Sequence, residues 1–256
     1  MPPTPPPAQH SVEYWDGWYA DKAATPAVGE IMNRHLGLPP GLQAGVVPAE
    51  AIPEITTELR LAPGDTLADL ACGRAGYGLT IAKSTGARLI GIDVSAEALS
   101  AAREQAARLG VPNARFSVGN LTATGLPDGC ADAVLCTDSI QFPDEPPAAY
   151  REVRRVLKPG GRVALTCWEC VDRDDERLSP RLRRVDLAAG LLAAGFTEVE
   201  VRERPAWRER ERRIWEEAVT LDPEAGPGLR SFRDEAASSM GRIDQLRRVL
   251  AVATAP

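Results

Sequence analysis

A turn of small residues joins an acid to a helical pattern in the stretch LADLACGRAGYG, residues 67–78. Turns of this kind bring backbone N–H groups close to a nucleotide-like ligand, as in the dinucleotide pattern GxGxxG. Gly73 and Gly78 occupy its first and third positions, but Ala75 replaces the second glycine, which lets the backbone approach a pyrophosphate. The carboxylate of Asp69 would also repel a pyrophosphate. The loop therefore favours a ligand that has an ammonium group and no phosphate.

A second acid stands where a ribose would be recognised. Asp93 ends the next apolar run, 24 residues after Asp69. An acid at this place in a strand–turn–helix–strand unit accepts hydrogen bonds from both ribose hydroxyls. A ribose, an amino-acid tail and no phosphate together predict S-adenosylmethionine as the ligand.

Alternating strand and helix patterns surround these two acids and must position them. The patterns indicate strands over residues 66–71, 87–94, 114–120, 130–138, 162–169, 197–204 and 245–256. They indicate helices over residues 77–86, 95–110, 146–161 and 181–196. The alternation predicts an α/β fold, a Rossmann-like seven-stranded, mostly parallel sheet with an antiparallel last strand and helices on both faces. We expect the last strand to return beside the sixth and make one antiparallel pair.

Three regions are expected along the chain. Residues 1–10 are Pro-rich and predicted to be a disordered leader. Residues 11–60 are predicted to form an N-terminal helical segment that covers the active site. Residues 61–256 are predicted to form the main domain, with a helical cap insertion at about 206–240 over the carboxyl ends of the strands, where ligands bind in open α/β sheets.

Five motifs in order carry a family resemblance: DLACGRAGYG, GIDVS, VGN, LPDGCADAV and REVRRVLKPGGRVALT. They resemble the successive motifs of the small-molecule branch of class I S-adenosylmethionine-dependent methyltransferases, over about residues 60–170. The resemblance implies that fold and S-adenosylmethionine as cofactor. The cofactor contacts that it implies come from Asp69, Ala71, Gly73, Asp93, Val94, Asn120, Leu121 and Asp138.

The chain departs from the family pattern at three of its positions. Ala71 and Ala75 stand where the family usually has glycine, and small residues still permit a close approach. Asn120 stands where the family often has an aspartate that pairs with the adenine amino group. Its side-chain carbonyl can accept that hydrogen bond, or the residue can simply form a turn.

Catalysis of methyl transfer depends mainly on alignment, which can supply about 7–11 kcal/mol of the barrier. A general base is needed only where the acceptor holds its proton tightly. The candidates are Asp138 and Gln141, in a segment that lies along the methionine part of the cofactor in the family, and His35 on the N-terminal helical segment. Each candidate also has a plainer interpretation. Asp138 could cap a turn, Gln141 could be a solvated loop residue, and His35 could be a half-buried helix histidine.

An aromatic cluster near the N-terminus is the candidate substrate wall. Tyr14, Trp15, Trp18 and Tyr19 could enclose an apolar acceptor and shield a sulfonium by cation–π contact, or they could be a packed helix face. Trp207 and Trp215 share a helix face and are interpreted as packing. The Arg/Glu run between them reads as a solvated face.

Composition narrows the function classes. The net charge of −6 and the absence of a basic stripe disfavour nucleic acid as partner, and the apolar runs are too short to span a membrane. Cys167 and Cys170 form a CxxC without a second pair, so no metal is expected. We expect a cytoplasmic protein, either a monomer or a homodimer.

The sequence therefore predicts a methyltransferase that acts on a small-molecule substrate, with specialised metabolism as the expected setting. The alternative is an S-adenosylmethionine-binding enzyme of the same fold that catalyses a non-methyl reaction such as cyclisation, because no base is obvious. A nicotinamide oxidoreductase is disfavoured by Ala75 and Asp69.

Overall fold

The computed structural model of the chain describes residues 11–42, 44–222, 224 and 226–256. The predicted leader at residues 1–10 lies outside the described residues. The strands are β1 (Thr66–Leu70), β2 (Arg88–Asp93), β3 (Ala114–Val118), β4 (Ala131–Thr137), β5 (Leu157–Cys170), β6 (Thr197–Glu203) and β7 (Leu246–Thr254). The helices are α1 (Val12–Ala24), α2 (Pro26–Leu36), α3 (Ala51–Leu59), α4 (Gly76–Thr85), α5 (Ala96–Leu109), α6 (Pro146–Val156), α7 (Pro180–Arg183), α8 (Leu187–Ala193), α9 (Pro205–Ala218) and α10 (Pro227–Met240).

These strands form one sheet in the order β3-β2-β1-β4-β5-β7-β6. The pairs among β1 to β5 are parallel, which confirms the predicted Rossmann-like architecture. Strand β7 lies between β5 and β6 and is antiparallel to both. The expectation of one antiparallel pair was therefore wrong. Strand β7 is almost entirely buried, so it suits an interior position, whereas the largely exposed β6 suits the edge.

Helix boundaries follow local capping chemistry. The hydroxyl of Ser95 accepts a hydrogen bond from the Ala98 N–H at 3.1 Å at the start of α5, and Gly110, with φ of 67°, ends this helix. The helix predicted over 181–196 is instead two helices, α7 and α8. The break occurs because the Asp186 carboxylate accepts the Ala189 N–H at 2.9 Å and caps α8.

The helix predicted over 146–161 also ends early. Helix α6 stops at Val156, and Leu157 is already extended, with φ of −79° and ψ of 137°. The segment LKPGGR therefore opens the long strand β5, with a register shift opposite Ala131 and Ala133 of β4.

Two hydrophobic cores cover the two faces of the sheet. Adjacent β4 residues alternate between them, with Leu135 in the first and Val134 in the second. Helices α2, α3, α9 and α10 contribute to the first core, and α6 and α8 to the second. The segment expected as a cap insertion is thus part of the main core. Among the described residues, no helix is both long and apolar enough to cross a bilayer.

Candidate active site

The carboxyl ends of β1, β2, β3 and β4 open into a cavity of about 880 Å³. Gly73, Asp93, Asn120 and Asp138 follow or end these four strands, and all of them line it. Residues of α1, α9 and α10 line it from the side opposite the strands. The cavity therefore lies at the sheet edge where the sequence placed the site.

The loop after β1 is held by the acid at the end of β2. The Gly73 N–H donates to Asp93 Oδ2 at 2.7 Å, and the Ser95 N–H donates to Asp93 Oδ1 at 2.9 Å. Burial raises the pKa of Asp93, and these backbone donors oppose that rise. Gly73 has φ of 54°, and a Cβ there would lie 2.5 Å from the Tyr19 hydroxyl, so a larger residue would require Tyr19 to shift.

The two alanines that replace family glycines adopt the backbone that glycine favours. Ala71 has φ of 55° and Ala75 has φ of 58°. Left-handed backbone costs an alanine about 1–2 kcal/mol. The loop therefore keeps its shape without the glycines, and Ala71, together with Val94 and Leu121, lines the cavity.

Asp69 is not among the residues that line the cavity, although it was predicted to contact the cofactor. Its carboxyl group is 2% exposed and lies under the start of α4, where a Cβ on Gly78 would be 2.3 Å from Asp69 Oδ2. Its Oδ1 has no hydrogen-bond partner within the described structure. Burial, followed by the nearby Asp93, raises the pKa of Asp69 to about 8. The loop after β1 therefore lies between the carboxyl group of Asp69 and the cavity.

Asn120 lines the cavity but uses its carbonyl locally. Its Oδ1 accepts hydrogen bonds from the Thr122 N–H and hydroxyl, both at 2.8 Å, and from the Ala123 N–H at 2.9 Å. The oxygen expected to accept from adenine is therefore engaged in a turn, as in the plainer interpretation.

Asp138 and Gln141 lie together on the cavity wall after β4. Asp138 has φ of 53°, and Gln141 Nε2 donates to its backbone carbonyl at 2.7 Å. Asp138 Oδ1 accepts from the Thr166 hydroxyl at 2.8 Å, and Oδ2 accepts from Arg248 Nη2 at 2.9 Å. Arg248 is fully buried, so it fixes this carboxylate in a defined position.

Glu211, on α9, is the cavity carboxylate that sequence reasoning missed. It is 4% exposed and lines the cavity. It accepts the indole N–H of Trp168 at 3.0 Å and that of Trp215 at 3.1 Å. Burial raises its pKa, and the Arg248 guanidinium opposes that rise. The sequence signal that could have revealed it is its spacing, because Glu211 lies four residues from both Trp207 and Trp215. This spacing places it on the buried face of the helix, although the Arg/Glu run was interpreted as a solvated face.

The aromatic cluster of α1, which is the candidate substrate wall, lines the cavity. Trp15 makes an edge contact with Phe142, their ring centroids 5.0 Å apart, and Trp18 does so with Tyr19 at 4.9 Å. Tyr14 contacts Trp15 in the same way at 5.2 Å. These rings are half-buried against the cavity, so they are available to a ligand as well as to packing.

A lysine extends this wall. Lys22 Nζ lies 3.6 Å from the Trp18 ring centroid, and Lys22 also lines the cavity. Burial lowers the pKa of Lys22 to about 8.

His35 is removed from the site. It does not line the cavity, and its Nε2 lies 2.6 Å from Glu217 Oε2, in a contact between α2 and α9. The structure supports the plainer interpretation of a half-buried helix histidine. The helical spacing placed Val28, Ile31, Met32 and Leu36 on the buried face, and His35 lies beside that face.

The two cysteines of the CxxC are buried in the structure. Cys167 and Cys170 are free, and the Cys167 thiol donates to Gln141 Oε1 at 3.2 Å. Across the described ranges, no group of three or more His, Cys, Asp or Glu side chains is arranged to hold a metal ion.

Comparison with known proteins agrees with these features. Residues 68–165 match the family described as a methyltransferase domain. Phosphoethanolamine N-methyltransferase 3 of Arabidopsis thaliana is 32% identical over 147 residues, which are 57% of this chain and 28% of that protein. The chain spans between 23% and 46% of the length of eight curated relatives.

Two solved structures share the fold. The crystal structure of the [4+2]-cyclase SpnF has a TM-score of 0.76, is 20% identical and covers 98% of both chains. Phosphoethanolamine N-methyltransferase 2 of Haemonchus contortus, in complex with S-adenosyl-L-methionine, has a TM-score of 0.72, is 17% identical and covers 94% of this chain and 60% of its own. In its ordered motifs, its matched domain over residues 68–165 and its fold, the chain is similar to class I S-adenosylmethionine-dependent methyltransferases.

Proposed function

We propose that this chain is an S-adenosylmethionine-dependent methyltransferase that acts on a small-molecule acceptor. The observation that carries the proposal is the joint placement of the Gly73 turn and the Asp93 carboxylate at one end of the cavity. The relatives named as methyltransferases of small molecules support it.

The residues at that end of the cavity fit the cofactor. Asp93 offers carboxylate oxygens for ribose hydroxyls, and Val94 and Leu121 offer apolar surface for a base. Gly73 lines the cavity and has no side chain, so a ligand can approach its backbone closely. When bound, the cofactor supplies an electrophilic methyl group on a sulfonium. A volume of about 880 Å³ is at the upper end for small-molecule sites, so an acceptor fits beside it.

The other residues of the cavity align the acceptor and exclude water. Helix α1 carries Trp15 and Trp18 over the cavity, and we propose that the N-terminal segment covers the active site in this way. Asp138, held by Arg248, presents a fixed acceptor of hydrogen bonds near the centre of the edge. Such positioning is the main requirement of the reaction.

We propose Glu211 as the residue that takes up the proton of an O–H acceptor. Its carboxylate lines the cavity, and burial raises its pKa, which makes it a stronger base. The acceptor oxygen then forms its bond to the methyl carbon, the sulfur–methyl bond breaks, and the proton remains on Glu211.

Cyclisation is the second candidate, because the SpnF cyclase shares the fold over 98% of both chains. The two candidate functions are distinguished by their products. A methyltransferase releases S-adenosylhomocysteine and its acceptor gains one methyl group, whereas a cyclase changes neither the cofactor nor the substrate mass. We propose a cytoplasmic setting in specialised metabolism for either reaction.

Mass spectrometry of the purified chain tests the proposal. We expect S-adenosylmethionine or S-adenosylhomocysteine to co-purify with the protein and to be lost from an Asp93→Ala variant. Incubation with S-adenosylmethionine and a panel of phenols and alcohols should release S-adenosylhomocysteine together with a methylated acceptor. Absence of any adenosyl compound, before and after soaking in S-adenosylmethionine, would contradict the proposal.

A further inference from the structure

Two arginines lie at the end of the cavity farthest from the loops after β2 and β3. Arg181, on α7, follows β5, and Arg242 precedes a 3₁₀ turn (Ile243–Gln245) that leads into β7. Because β5 and β7 are antiparallel, the end of β5 and the start of β7 meet, with Cys170 opposite Leu246. Both arginines line the cavity. The sheet order places them on the acceptor side, with β1 and β4 between them and the β2 loop.

Among the described residues, neither guanidinium has a counterion. In the ranges that the structure describes, the side chains of Arg181 and Arg242 form no ion pair and no hydrogen bond, whereas Arg162, Arg202 and Arg248 are each paired with carboxylates. The charged groups that act most strongly on Arg181 include two further arginines, Arg242 and Arg184, and no carboxylate. Burial and the like charge of Arg242 lower the pKa of Arg181. Two cations thus line the same cavity without a paired anion in the part of the chain that the structure describes.

None of the acidic residues that line the cavity forms an ion pair with Arg181 or Arg242 in the described structure. Glu211 is bound by two indole N–H groups and lies beside Arg248. The charge of Glu235, on α10, raises the pKa of Tyr14 and opposes the lowering of the pKa of Lys22. Asp138 is paired with Arg248. Asp144 and Glu145, which follow Phe142 closely in the chain, also line the cavity, and within the described ranges neither pairs with these arginines.

Aromatic surface adjoins the pair. The guanidinium carbon of Arg181 lies 5.0 Å from the Phe142 ring centroid, and Phe142 contacts Trp15 of the aromatic wall. A third cation, Arg208, lines the same cavity and donates to the Leu246 carbonyl at 3.1 Å. A guanidinium is a flat, forked donor that binds carboxylate or phosphate oxygens in pairs. The surroundings suit an unsaturated body that ends in an oxyanion.

We propose that Arg181 and Arg242 form an oxyanion subsite, which binds a carboxylate or phosphate group of the methyl acceptor. The inference rests on the proposed function and names the substrate class as an anionic small molecule with an apolar, unsaturated body. Anchoring at this end would turn the rest of the acceptor towards Glu211 and Asp138.

Calorimetric titration of the full chain, saturated with S-adenosylhomocysteine, tests the subsite. The probes are 1-naphthoate, 1-naphthyl phosphate and the neutral 1-naphthamide, which share one aromatic body. The variants are Arg181→Gln, Arg242→Gln and their combination. Arg184→Gln is the matched control, since it removes one positive charge from an exposed position beside the cavity.

We expect at least one anionic probe to bind more tightly than the amide, and the stronger of the two identifies carboxylate or phosphate. The affinity of that anion should be about 10- to 100-fold lower in the double variant, as expected for lost charged hydrogen bonds. The amide and S-adenosylhomocysteine should bind it as before, and Arg184→Gln should resemble the wild type. Equal binding of anion and amide, or an anion affinity unchanged in the double variant, would overturn the subsite. Failure of S-adenosylhomocysteine to bind the wild type would instead overturn the proposed function.

Discussion

Three residues near the site adopt a backbone that L-amino acids avoid. Ala71, Ala75 and Asp138 have positive φ angles, and they lie in the loops after β1 and β4. Such conformations cost of order 1–3 kcal/mol each and gather at ligand sites. The sequence located the loop through its glycines, but it could not show that two alanines would follow the same path.

The buried carboxyl of Asp69 makes a prediction about pH. Its pKa of about 8 in the folded chain lies far above that of an exposed aspartate, so between pH 4 and pH 8 the folded state keeps a proton that the unfolded state has lost. Folding stability through this group therefore falls as pH rises, by up to about 1.4 kcal/mol per pH unit. Relative to the wild type, Asp69→Asn should gain stability progressively from pH 4 to pH 8.

Urea unfolding of the cofactor-free chain at pH 5 and pH 8 measures this difference. Asp144→Asn, an exposed carboxylate on the cavity rim, is the control and should show no comparable trend. Glu211, whose pKa is also raised, remains in both proteins, so its effect cancels, whereas the coupling of Asp93 to Asp69 is part of the measured difference. A constant difference between the two pH values would contradict the raised pKa.

Glu211 carries a prediction about turnover. If it takes up the acceptor proton, Glu211→Gln should lower kcat by about 10²- to 10⁴-fold for an O–H acceptor. The affinity for S-adenosylhomocysteine should not change, since Glu211 lies on α9, away from the loops after β1 to β3. Glu209→Gln, on the exposed face of the same helix, is the matched control. A Glu211→Gln enzyme with the wild-type kcat and the same acidic limb of the pH profile would rule out this role.

At the scale of elements, caps and apolar periods predicted most of the helices and strands. Ser95 and Gly110 marked both ends of α5, because each satisfies backbone groups of the helix locally. The errors arose where tertiary pairing decides. Leu157 joins β5 because Ala131 of β4 is available as its partner, and β7 takes an interior place because both its faces meet apolar neighbours.

Strand β7 also contributes an ion-pair centre that joins several elements. Arg248 of β7 pairs with Asp138 after β4, lies near Glu211 of α9, and stacks 4.2 Å from the Trp168 ring centroid of β5. Removing one partner of a buried charge cluster costs about 3–5 kcal/mol, because the remaining charge stays unpaired. We expect Arg248→Met to destabilise the fold by that amount in urea unfolding.

A compensated variant separates charge from packing. Arg248→Met combined with Asp138→Asn and Glu211→Gln removes the two carboxylates along with the cation. It should recover a large part of the lost stability. Equal stability of Arg248→Met and the wild type would show that this cluster does not hold β7 in place.

Helix α4 begins where a glycine is required by contact. Asp69 Oδ2 would lie 2.3 Å from a Cβ on Gly78, and Asp69 Cβ would lie 3.1 Å from it. Gly78→Ala should therefore destabilise the fold by about 1–3 kcal/mol. Gly17→Ala, in α1, meets nothing within 4 Å and should stabilise its helix by up to about 1 kcal/mol. Thermal unfolding of both variants measures the two changes in stability. A change of the same sign in both variants would contradict the packing at Gly78.

At the scale of the molecule, we propose that the cavity combines a nucleoside end with an acceptor end. The loops after β1, β2 and β3 form the first, and their motifs lie within about 50 residues of sequence. The second collects Trp15, Arg181, Glu211 and Arg242, which are far apart along the chain. Local motifs therefore predicted the nucleoside end, whereas only the packing of α1, α7, α9 and α10 brings the acceptor end together. His35 failed as a candidate for the same reason, since its helix turns it towards Glu217.

Calorimetric titration with S-adenosylhomocysteine tests the central claim most directly. The wild type should bind one molecule per chain, and Asp93→Ala should weaken binding by about 1–3 kcal/mol through the lost ribose contacts. Asp144→Ala, which removes another carboxylate from the cavity rim, should bind like the wild type. No saturable binding to the wild type, or an equal affinity in the folded Asp93→Ala variant, would contradict the claim that this sheet edge holds an adenosyl cofactor by its ribose.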